Sequence, residues 1–320
     1  MSDFLSVVWN VDPAIFSIGN YSLRFYSLLF VAGFPLGYWL FYKFYKRENV
    51  DVSLLEPLLY ILLIGTIVGA RLGHCLFYEP GYYLAHPIEI LKVWNGGLAS
   101  HGGVLALILC VFYYAHRYGR KNGFDAMWVF DRLAIAGTLA GCFIRLGNLF
   151  NSEIFGGPTD LPWGFKFPRS VEWVNLYGPS VYPPDGVACH PTQIYEALSY
   201  LILGLVLLWL YWKKSDRIYK GSIFGIFFIV LFGMRFLIEF IKNDQVDFEA
   251  GMKFNMGQLL SIPFIIAGVI ILVWSFRKKL PLLIEGHGQE PLAPKENDHR
   301  TNLSKEQRMS ASKRKAMGLN

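Results

Sequence analysis

Cysteines and the common metal-binding spacings are scarce in this sequence. Only 4 of the 320 residues are cysteine, and no two of them form a CxxC pair. No HxxH or HExxH spacing joins any of the 7 histidines. A redox centre and a metal site are therefore not predicted.

Charged residues are also few, at 17% of the chain, whereas 53% of the residues are hydrophobic. The hydrophobic residues form runs of about 20 residues, which is the length that a helix needs to cross about 30 Å of hydrocarbon. The first residues lack the positive region of a cleavable signal peptide, so we expect them to be retained. We count seven apolar runs, at residues 22–42, 54–77, 98–116, 126–149, 192–212, 222–241 and 257–276.

Lysine and arginine are distributed unevenly between the loops that join these runs. The loops after the first, third, fifth and seventh runs are basic, whereas the opposite set carries few basic residues. The positive-inside rule then places the N-terminus outside and the C-terminus in the cytoplasm, as seven crossings require. The net charge of +6 fits attraction to anionic lipid headgroups better than nucleic-acid binding.

These patterns predict an all-α membrane protein, a seven-transmembrane-helix bundle with external loops and small interfacial segments. Glycines recur at four-residue spacing in several runs, as in Gly65, Gly69 and Gly73, and this spacing favours close helix packing in lipid. Residues 1–280 are predicted to form the seven-span domain. Residues 281–320 are predicted to form a polar, disordered cytoplasmic tail.

Four arginines interrupt the predicted spans: Arg71, Arg132, Arg145 and Arg235. An arginine in hydrocarbon costs about 2.5–3.5 kcal/mol on insertion scales, so a chain that keeps several is expected to handle a charged ligand. Guanidinium binds phosphate or carboxylate through two parallel hydrogen bonds, which predicts an anion. Three of the four lie toward the outer ends of their helices, whereas Arg132, beside Asp131, lies toward the cytoplasm. For that pair we favour a structural ion pair over a functional role.

Two other groupings leave alternatives open. Arg235 and Glu239 stand four residues apart on one helix face, either as a self-neutralising pair or as part of a ligand site. His190, Gln193 and Glu196 follow one another at intervals of three and can stack along one side of a helix.

Six blocks of the sequence carry a family resemblance. The most specific is FIRLGNLFNSE at residues 143–153, and the others are IFSIG with LRFY, GARLG, WNGGLASHGG, HPTQIYE and RFLIE, in this order along the chain. Together they resemble the signature of bacterial prolipoprotein diacylglyceryl transferases. The resemblance covers about residues 10–278 and omits the tail.

The resemblance implies a reaction, its partners and its location. A transferase of this family moves the sn-1,2-diacylglyceryl group of phosphatidylglycerol onto the lipobox cysteine of a prolipoprotein, forms a thioether and releases glycerol 1-phosphate. The implied partners are phosphatidylglycerol, the signal peptides of prolipoproteins and the lipid bilayer, without nucleic acid, metal or cofactor. The implied location is the bacterial cytoplasmic (inner) membrane, with the active site toward the outer face.

The resemblance and the chemistry of a departing phosphate together assign roles to individual residues. Negative charge grows on the leaving group, so Arg145 and Arg235 are predicted to be catalytic. A cysteine thiol is mostly protonated at neutral pH and needs activation, so His101 is predicted to be the general base, unless an electropositive pocket alone favours the thiolate. The residues predicted to bind phosphatidylglycerol are Arg145, Tyr26, Asn148, Glu153, Glu239 and Arg71.

Other classes of function explain these features less well. A transporter of organic phosphates also uses membrane arginines, but it would carry polar groups toward both faces and often inverted repeats. An intramembrane protease would need a GxSxG elbow or paired membrane aspartates, and the sequence contains neither. A purely structural or receptor role leaves the arginines of the outer half unexplained.

Overall fold

Long helices make up most of the protein. The computed structural model describes residues 6–19, 21–93, 96–170, 187–242 and 254–284. A short helix, α3 (Pro80–Ala85), lies between the second and third long helices. The long helices are α1 (Phe25–Arg47), α2 (Leu55–Phe77), α4 (Ser100–Tyr114), α5 (Ala126–Phe150), α6 (Thr192–Lys213), α7 (Ser222–Ile238) and α8 (Met256–Lys278).

Six helical segments in the described residues are long and apolar enough to cross a membrane, so the chain is a mostly helical, multi-pass membrane protein, as predicted. They contain α1, α2, α5, α6, α7 and α8. The third predicted run, 98–116, is α4, which has 15 residues before a π-helical turn at Ala115–Gly119 interrupts its α-helical hydrogen bonding. A last α-helical turn, Arg120–Asn122, follows without a break. The count of seven spans stays a prediction.

Glycines set the closest contacts between helices, as their spacing predicts. A Cβ atom on Gly73 of α2 would lie 2.8 Å from the Cα atom of Gly102 on α4. A Cβ on Gly225 of α7 would lie 3.1 Å from the carbonyl oxygen of Gly268 on α8. Any larger residue at these positions would push the paired helices apart.

Short strands lie at the end of the bundle where Arg145 is located, which we call the Arg145 end. Strand β1 (Val7–Val8) pairs in parallel with β4 (Phe165–Lys166), and β2 (Ala14–Ile18) pairs antiparallel with β3 (Tyr21–Arg24), directly before α1. The indole of Trp9 donates a hydrogen bond of 2.9 Å to the carbonyl of Leu149, which ties β1 to the end of α5.

The opposite end of the bundle, which we call the Arg132 end, contains a fully buried ion pair. Arg132 of α5 contacts the carboxylate of Glu48, just after α1, at 2.6 Å. The Trp128 indole and the Tyr211 hydroxyl donate to the same carboxylate at 2.6 and 2.7 Å. Asp131 instead accepts hydrogen bonds of 2.7 and 2.9 Å from backbone N–H groups at the start of α7. The predicted structural ion pair exists, and its main anion is Glu48.

After α8 the chain turns at Lys279, whose φ is +51°, and folds back along the Arg132 end. We call residues 279–284 the C-terminal strap. Leu282 is buried, and its carbonyl accepts a hydrogen bond of 2.9 Å from Arg132. The backbone N–H of Ile284 donates to Glu48 at 3.2 Å. The predicted tail boundary at residue 280 falls within the strap, and the tail from residue 285 lies outside the described residues.

Candidate functional site

The site is built around the end of α5, where the block FIRLGNLFNSE forms the last helical turns and the loop that follows. Residues three apart on a helix share a face, so Arg145 and Asn148 lie side by side. One terminal nitrogen of Arg145 donates to Asn148 Oδ1 at 3.3 Å, and Asn148 Nδ2 donates to the carboxylate of Glu153 at 2.7 Å. The structure therefore brings three predicted site residues together in one chain of hydrogen bonds.

An ion-pair cluster joins this chain of hydrogen bonds to α6 and to the segment after α7. Nε of Arg145 lies 2.6 Å from Glu196 of α6. Lys242 Nζ lies 2.8 Å from Glu196 and 3.4 Å from Glu239, and all three of these side chains are nearly inaccessible. Two cations and two anions balance each other, which offsets the cost of burying them. We call Arg145, Glu196, Glu239 and Lys242 the buried ion cluster.

Two glycines admit side chains to the site. A Cβ on Gly147 would lie 2.7 Å from the ring of Tyr26, so the missing side chain lets this tyrosine of α1 pack against α5 beside Asn148. A Cβ on Gly257, at the start of α8, would overlap the carboxyl group of Glu239. These close approaches need glycine whatever the chemistry of the site.

Arg235 lies on α7 near the buried ion cluster but takes no part in it. Tyr200 lies close to both arginines: the Arg145 guanidinium is 5.9 Å from the centroid of its ring, and Arg235 is near enough to act on it electrostatically. The possible self-neutralising pair is absent from the described residues, since Glu239 is paired with Lys242 and Arg235 has no ion pair or hydrogen bond there. An anion could therefore bind the Arg235 guanidinium without breaking an ion pair or a hydrogen bond of the described residues.

His101 is exposed in the first turn of α4. Within the described part of the chain, no hydrogen bond or ion pair connects its imidazole to the buried ion cluster. The adjacent Gly102 packs against Gly73, which places this turn against α2. The structure leaves the His101 imidazole accessible, and its role as general base stays a prediction.

Arg71 is buried and binds backbone carbonyl groups. It donates hydrogen bonds to Ile90 and Glu89 at 3.0 and 2.6 Å, and to Gly96 and Gly97 at 2.5 and 3.2 Å. These bonds hold the segment between α2 and α4 against the Arg145 end. The geometry favours a positioning role for Arg71, and its binding to phosphatidylglycerol stays a prediction.

An apolar cavity of about 370 Å³ lies between α1, α2, α4 and α5. Gly37 and Gly137 line it, and a Cβ atom at either position would meet no described atom within 4 Å. Phe34 and Tyr38 line its rim and are partly exposed, so the cavity opens between helices toward the surroundings of the bundle. Ile144 is also in its wall, next to Arg145 in the sequence.

Histidine 190 lies at the start of HPTQIYE, beside the site. Partial burial lowers the pKa of His190, so the neutral imidazole is favoured. Its Nδ1 atom is 3.4 Å from the hydroxyl of Tyr195. Among the described residues no three His, Cys, Asp or Glu side chains are grouped as a metal site requires, and the absence of a metal stays a prediction.

Sequence reasoning did not assign Glu196, Gln193 or Lys242 to the site. Their helical spacing from His190 was a signal for the first two, and the structure shows Gln193 Nε2 donating to the Glu153 carbonyl at 2.7 Å. Lys242 was notable in the sequence only as a basic residue in a loop with few lysines and arginines. No local pattern indicates that it lies between two carboxylates contributed by different helical segments.

Comparison with known proteins adds an independent finding. The model of the family described as prolipoprotein diacylglyceryl transferase matches residues 13–274 of this chain.

Three relatives carry the name phosphatidylglycerol–prolipoprotein diacylglyceryl transferase. The protein from Porphyromonas gingivalis is 46% identical over 273 residues, which cover 83% of this chain and 94% of the relative. The protein from Tolumonas auensis is 43% identical over 271 residues, covering 85% and 98%. The protein from Cupriavidus metallidurans is 33% identical over 273 residues, covering 83% and 94%.

Proposed function

The chain belongs to the prolipoprotein diacylglyceryl transferase family, and from this premise we propose that it transfers the sn-1,2-diacylglyceryl group of phosphatidylglycerol to the lipobox cysteine of prolipoproteins. The reaction is the first step of bacterial lipoprotein maturation. One observation supports it most directly: the apolar cavity runs along the bundle from Leu55 and Leu133 as far as Ile144, the residue before the cationic Arg145. A lipid with an anionic headgroup needs both features.

The transfer is a substitution at the carbon that joins the diacylglyceryl group to phosphate. The cysteine sulfur forms a bond to this carbon, the carbon–oxygen bond to phosphate breaks, and glycerol 1-phosphate leaves with the bonding electrons. Negative charge therefore grows on a phosphate oxygen during the reaction. Arg145 and Arg235 would stabilise that charge, since preorganised cations act most strongly where the charge develops.

The thiol proton needs an acceptor. His101 is our candidate, because its imidazole is exposed and carries no hydrogen bond within the described residues. The base would take the proton as the sulfur attacks.

The remaining predicted residues would bind and orient the lipid. Asn148 and Tyr26 supply neutral hydrogen-bonding groups beside Arg145, whereas Glu153 orients Asn148 and Glu239 lies in the buried ion cluster. We propose that Arg71 acts through the backbone segment that it holds, rather than by direct contact with the lipid.

The apolar cavity is the proposed site of one acyl chain. Its volume of about 370 Å³ lies within the usual range of ligand pockets, about 300–1,000 Å³. Its wall reaches Ile144, so a chain in the cavity would bring its headgroup toward Arg145. The acyl chain would enter the cavity from the bilayer, because the rim of the cavity lies between the membrane-facing surfaces of α1 and α2.

We further propose seven spans, with α4 and its continuation to Asn122 as the third. The N-terminus would lie outside and the C-terminus in the cytoplasm, as the basic loops indicate. This orientation places the Arg145 end at the outer face, where a translocated lipobox cysteine is available.

The direct test incubates the purified full chain with labelled phosphatidylglycerol and a lipobox peptide. We expect the peptide to gain one diacylglyceryl group through a thioether, with release of an equal amount of glycerol 1-phosphate. A peptide whose lipobox cysteine is replaced by serine is the control, and it should remain unmodified. Movement of an organic phosphate across vesicles without peptide modification would favour a transporter, and peptide cleavage would favour a protease.

A further inference from the structure

Three buried polar atoms beside the buried ion cluster have no hydrogen-bond partner in the described structure. They are Asn151 Oδ1, Ser152 Oγ and Gln193 Oε1, and a fourth such atom, Glu196 Oε2, belongs to the cluster itself and is ion-paired with Arg145. Gln193 and Ser152 are almost completely buried, with exposed fractions of 1% and 2%. A buried acceptor without a donor costs about 1–3 kcal/mol, so three of them in one short region need an explanation.

The hydrogen bonds of the Asn151 and Gln193 side-chain amides establish which atom of each amide is unpaired. Asn151 Nδ2 donates to the carboxylate of Glu153 at 3.2 Å, and Gln193 Nε2 donates to the Glu153 carbonyl at 2.7 Å. Turning either amide over would place its oxygen against another oxygen. The unpaired atoms of both residues are therefore acceptors, and the Ser152 hydroxyl can also accept.

The three atoms belong to one place in the site. Asn151 and Ser152 are consecutive, and both amides bond to Glu153, which also accepts a hydrogen bond from Asn148. Asn148 in turn contacts Arg145. The backbone here is strained, because Ser152 and Ile154 have φ angles of +54° and +61°, which residues with side chains seldom adopt. Strain and buried unpaired acceptors next to a cationic site are features of a ligand-binding loop.

The chemistry of these atoms limits what the ligand presents to them. Phosphate and ester oxygens at neutral pH only accept hydrogen bonds, so they cannot satisfy the amide oxygens of Asn151 and Gln193, whereas a hydroxyl can pair with these and with Ser152. The glycerol headgroup of phosphatidylglycerol carries two hydroxyl groups, on the second and third carbons after its phosphate. With the phosphate at Arg145, these hydroxyls are the nearest donors of the lipid.

We propose that the Asn151 and Gln193 amide oxygens accept hydrogen bonds from the two headgroup hydroxyls of phosphatidylglycerol, that the Ser152 hydroxyl bonds to the same headgroup, and that these contacts select this lipid. The inference rests on the proposed function and adds the residues that determine lipid specificity. A site built around a substrate hydroxyl rejects an analogue without it strongly, because the buried protein acceptors are then left unpaired.

The test compares two lipids that differ only in these hydroxyls. Transfer to a lipobox peptide is measured as kcat/KM with phosphatidylglycerol and with the same diacyl lipid carrying a methyl phosphate headgroup. The wild-type protein should prefer phosphatidylglycerol by roughly tenfold for each acceptor left without a donor. Ser152→Ala breaks no hydrogen bond described in the protein. It should lower kcat/KM about tenfold with phosphatidylglycerol, whereas kcat/KM with the methyl phosphate lipid should stay the same.

Gln193→Met is the second variant. It also loses the bond to the Glu153 carbonyl, so both lipids should react more slowly. The loss of kcat/KM with phosphatidylglycerol should be about tenfold larger than the loss with the methyl phosphate lipid. Ser199→Ala is the matched control, because the Ser199 hydroxyl bonds only to the Tyr195 carbonyl within α6, at 2.7 Å. It should leave the preference between the lipids as in the wild type.

Two results would overturn the inference while leaving the proposed function intact. Equal losses with both lipids would mean that Ser152 and Gln193 only support the loop. Unchanged kcat/KM with both lipids in the Ser152→Ala variant would mean that water satisfies the three atoms. A wild-type protein that transfers nothing from either lipid would overturn the proposed function, and this inference with it.

Discussion

Arginine serves two different purposes in this protein. Arg132 is enclosed by Glu48, by the Trp128 carbonyl and by the Leu282 carbonyl, so its donors are used within the fold. Arg145 is bound by side chains, among them Glu196, Asn148 and Tyr200, and it lies beside a second arginine that has no ion pair among the described residues. The same residue type therefore stabilises one end of the bundle and is available to a ligand at the other.

Arg145→Lys should separate charge from geometry. Lysine keeps the charge opposite Glu196, so the protein should fold, but it cannot form a planar two-pronged contact with phosphate. We expect turnover to fall on the order of 10²–10³-fold, with a smaller effect on phosphatidylglycerol affinity. The measurement is transfer of labelled diacylglycerol to a lipobox peptide. Turnover near that of the wild type would mean that Arg145 is structural.

Arg132→Lys is the matched substitution at the opposite end, and it should give the reverse pattern. Each buried acceptor that loses its donor costs roughly 1–3 kcal/mol, so the thermal unfolding temperature should fall. The rate per folded molecule should change little.

His101→Gln should reveal the acceptor of the thiol proton. Loss of a general base lowers the rate roughly 10²–10⁴-fold. Raising the pH should recover part of this loss, because more of the peptide cysteine is then thiolate without assistance. The pH dependence of kcat/KM for the variant and the wild type is the measurement. An unchanged rate at neutral pH would assign thiol activation to the electrostatic field of the arginines.

At the scale of elements, the C-terminal strap and the apolar cavity are the two features that helix patterns do not reveal. The strap covers the buried Arg132–Glu48 pair, although the family match ends at residue 274. Gly37 and Gly137 both line the cavity, and a Cβ atom at either position would meet no described atom within 4 Å. The strap is formed by residues after the last span, whereas the cavity is lined by residues within the spans.

Removing the strap should destabilise the protein more than removing the tail. A chain that ends at residue 278 loses the burial of Leu282, worth about 2–5 kcal/mol for a core leucine, and two hydrogen bonds to the buried ion pair. A chain that ends at residue 287 keeps all of these contacts. We expect thermal unfolding to occur at a lower temperature only for the shorter chain, and we expect the longer one to retain transferase activity. Equal unfolding temperatures would show that the strap contributes nothing to stability.

Gly137→Leu should fill the apolar cavity without disturbing helix packing, because no described atom lies within 4 Å of the added Cβ. An acyl chain that loses burial of two methylene groups, at about 0.8 kcal/mol each, binds about tenfold more weakly. KM for long-chain phosphatidylglycerol should rise by this factor. Gly233→Leu is the control, since Gly233 has the same open space on α7 but does not line the cavity. The same KM for both variants would place the acyl chain elsewhere.

At the scale of the whole molecule, the two ends of the bundle have different compositions and contacts. The Arg145 end carries the short strands, the segment held by Arg71 and the buried ion cluster, whereas the Arg132 end carries the basic loops and the strap. This asymmetry fits the proposed site at the Arg145 end, which would open to one face of the membrane.

Reporter fusions test the proposed orientation. Fusions after Arg47, Lys121, Lys220 and Lys279 should activate a cytoplasmic reporter, because the positive-inside rule assigns these basic loops to the cytoplasm. Fusions near Gly157 and Gly251 should not activate it. A cytoplasmic signal near Gly157 would exclude the seven-span arrangement.

The sequence by itself determined the class of the protein, the positions of its long helices and most of the residues around Arg145. These features depend on local composition, since a run of apolar residues forms a membrane helix wherever it lies. The block FIRLGNLFNSE keeps Arg145, Asn148 and Glu153 within one helix end and its loop, so their proximity also follows from local geometry. The interruption of α4 after 15 residues by a π-helical turn was not evident from composition, because the sequence of that turn, AHRYG, contains no proline or other residue that marks a change of hydrogen-bonding pattern.

Only the tertiary structure decided which charged groups are paired. Glu196 and Lys242 enter the site from separate segments, and Glu48 reaches Arg132 across 84 residues of sequence. A buried charge needs an opposite charge within a few ångströms, and the bundle supplies it through whichever helix is adjacent in space. Adjacency depends on glycine contacts such as Gly73 with Gly102 and on loops such as the strap, and neither is expressed in the pattern of a single helix.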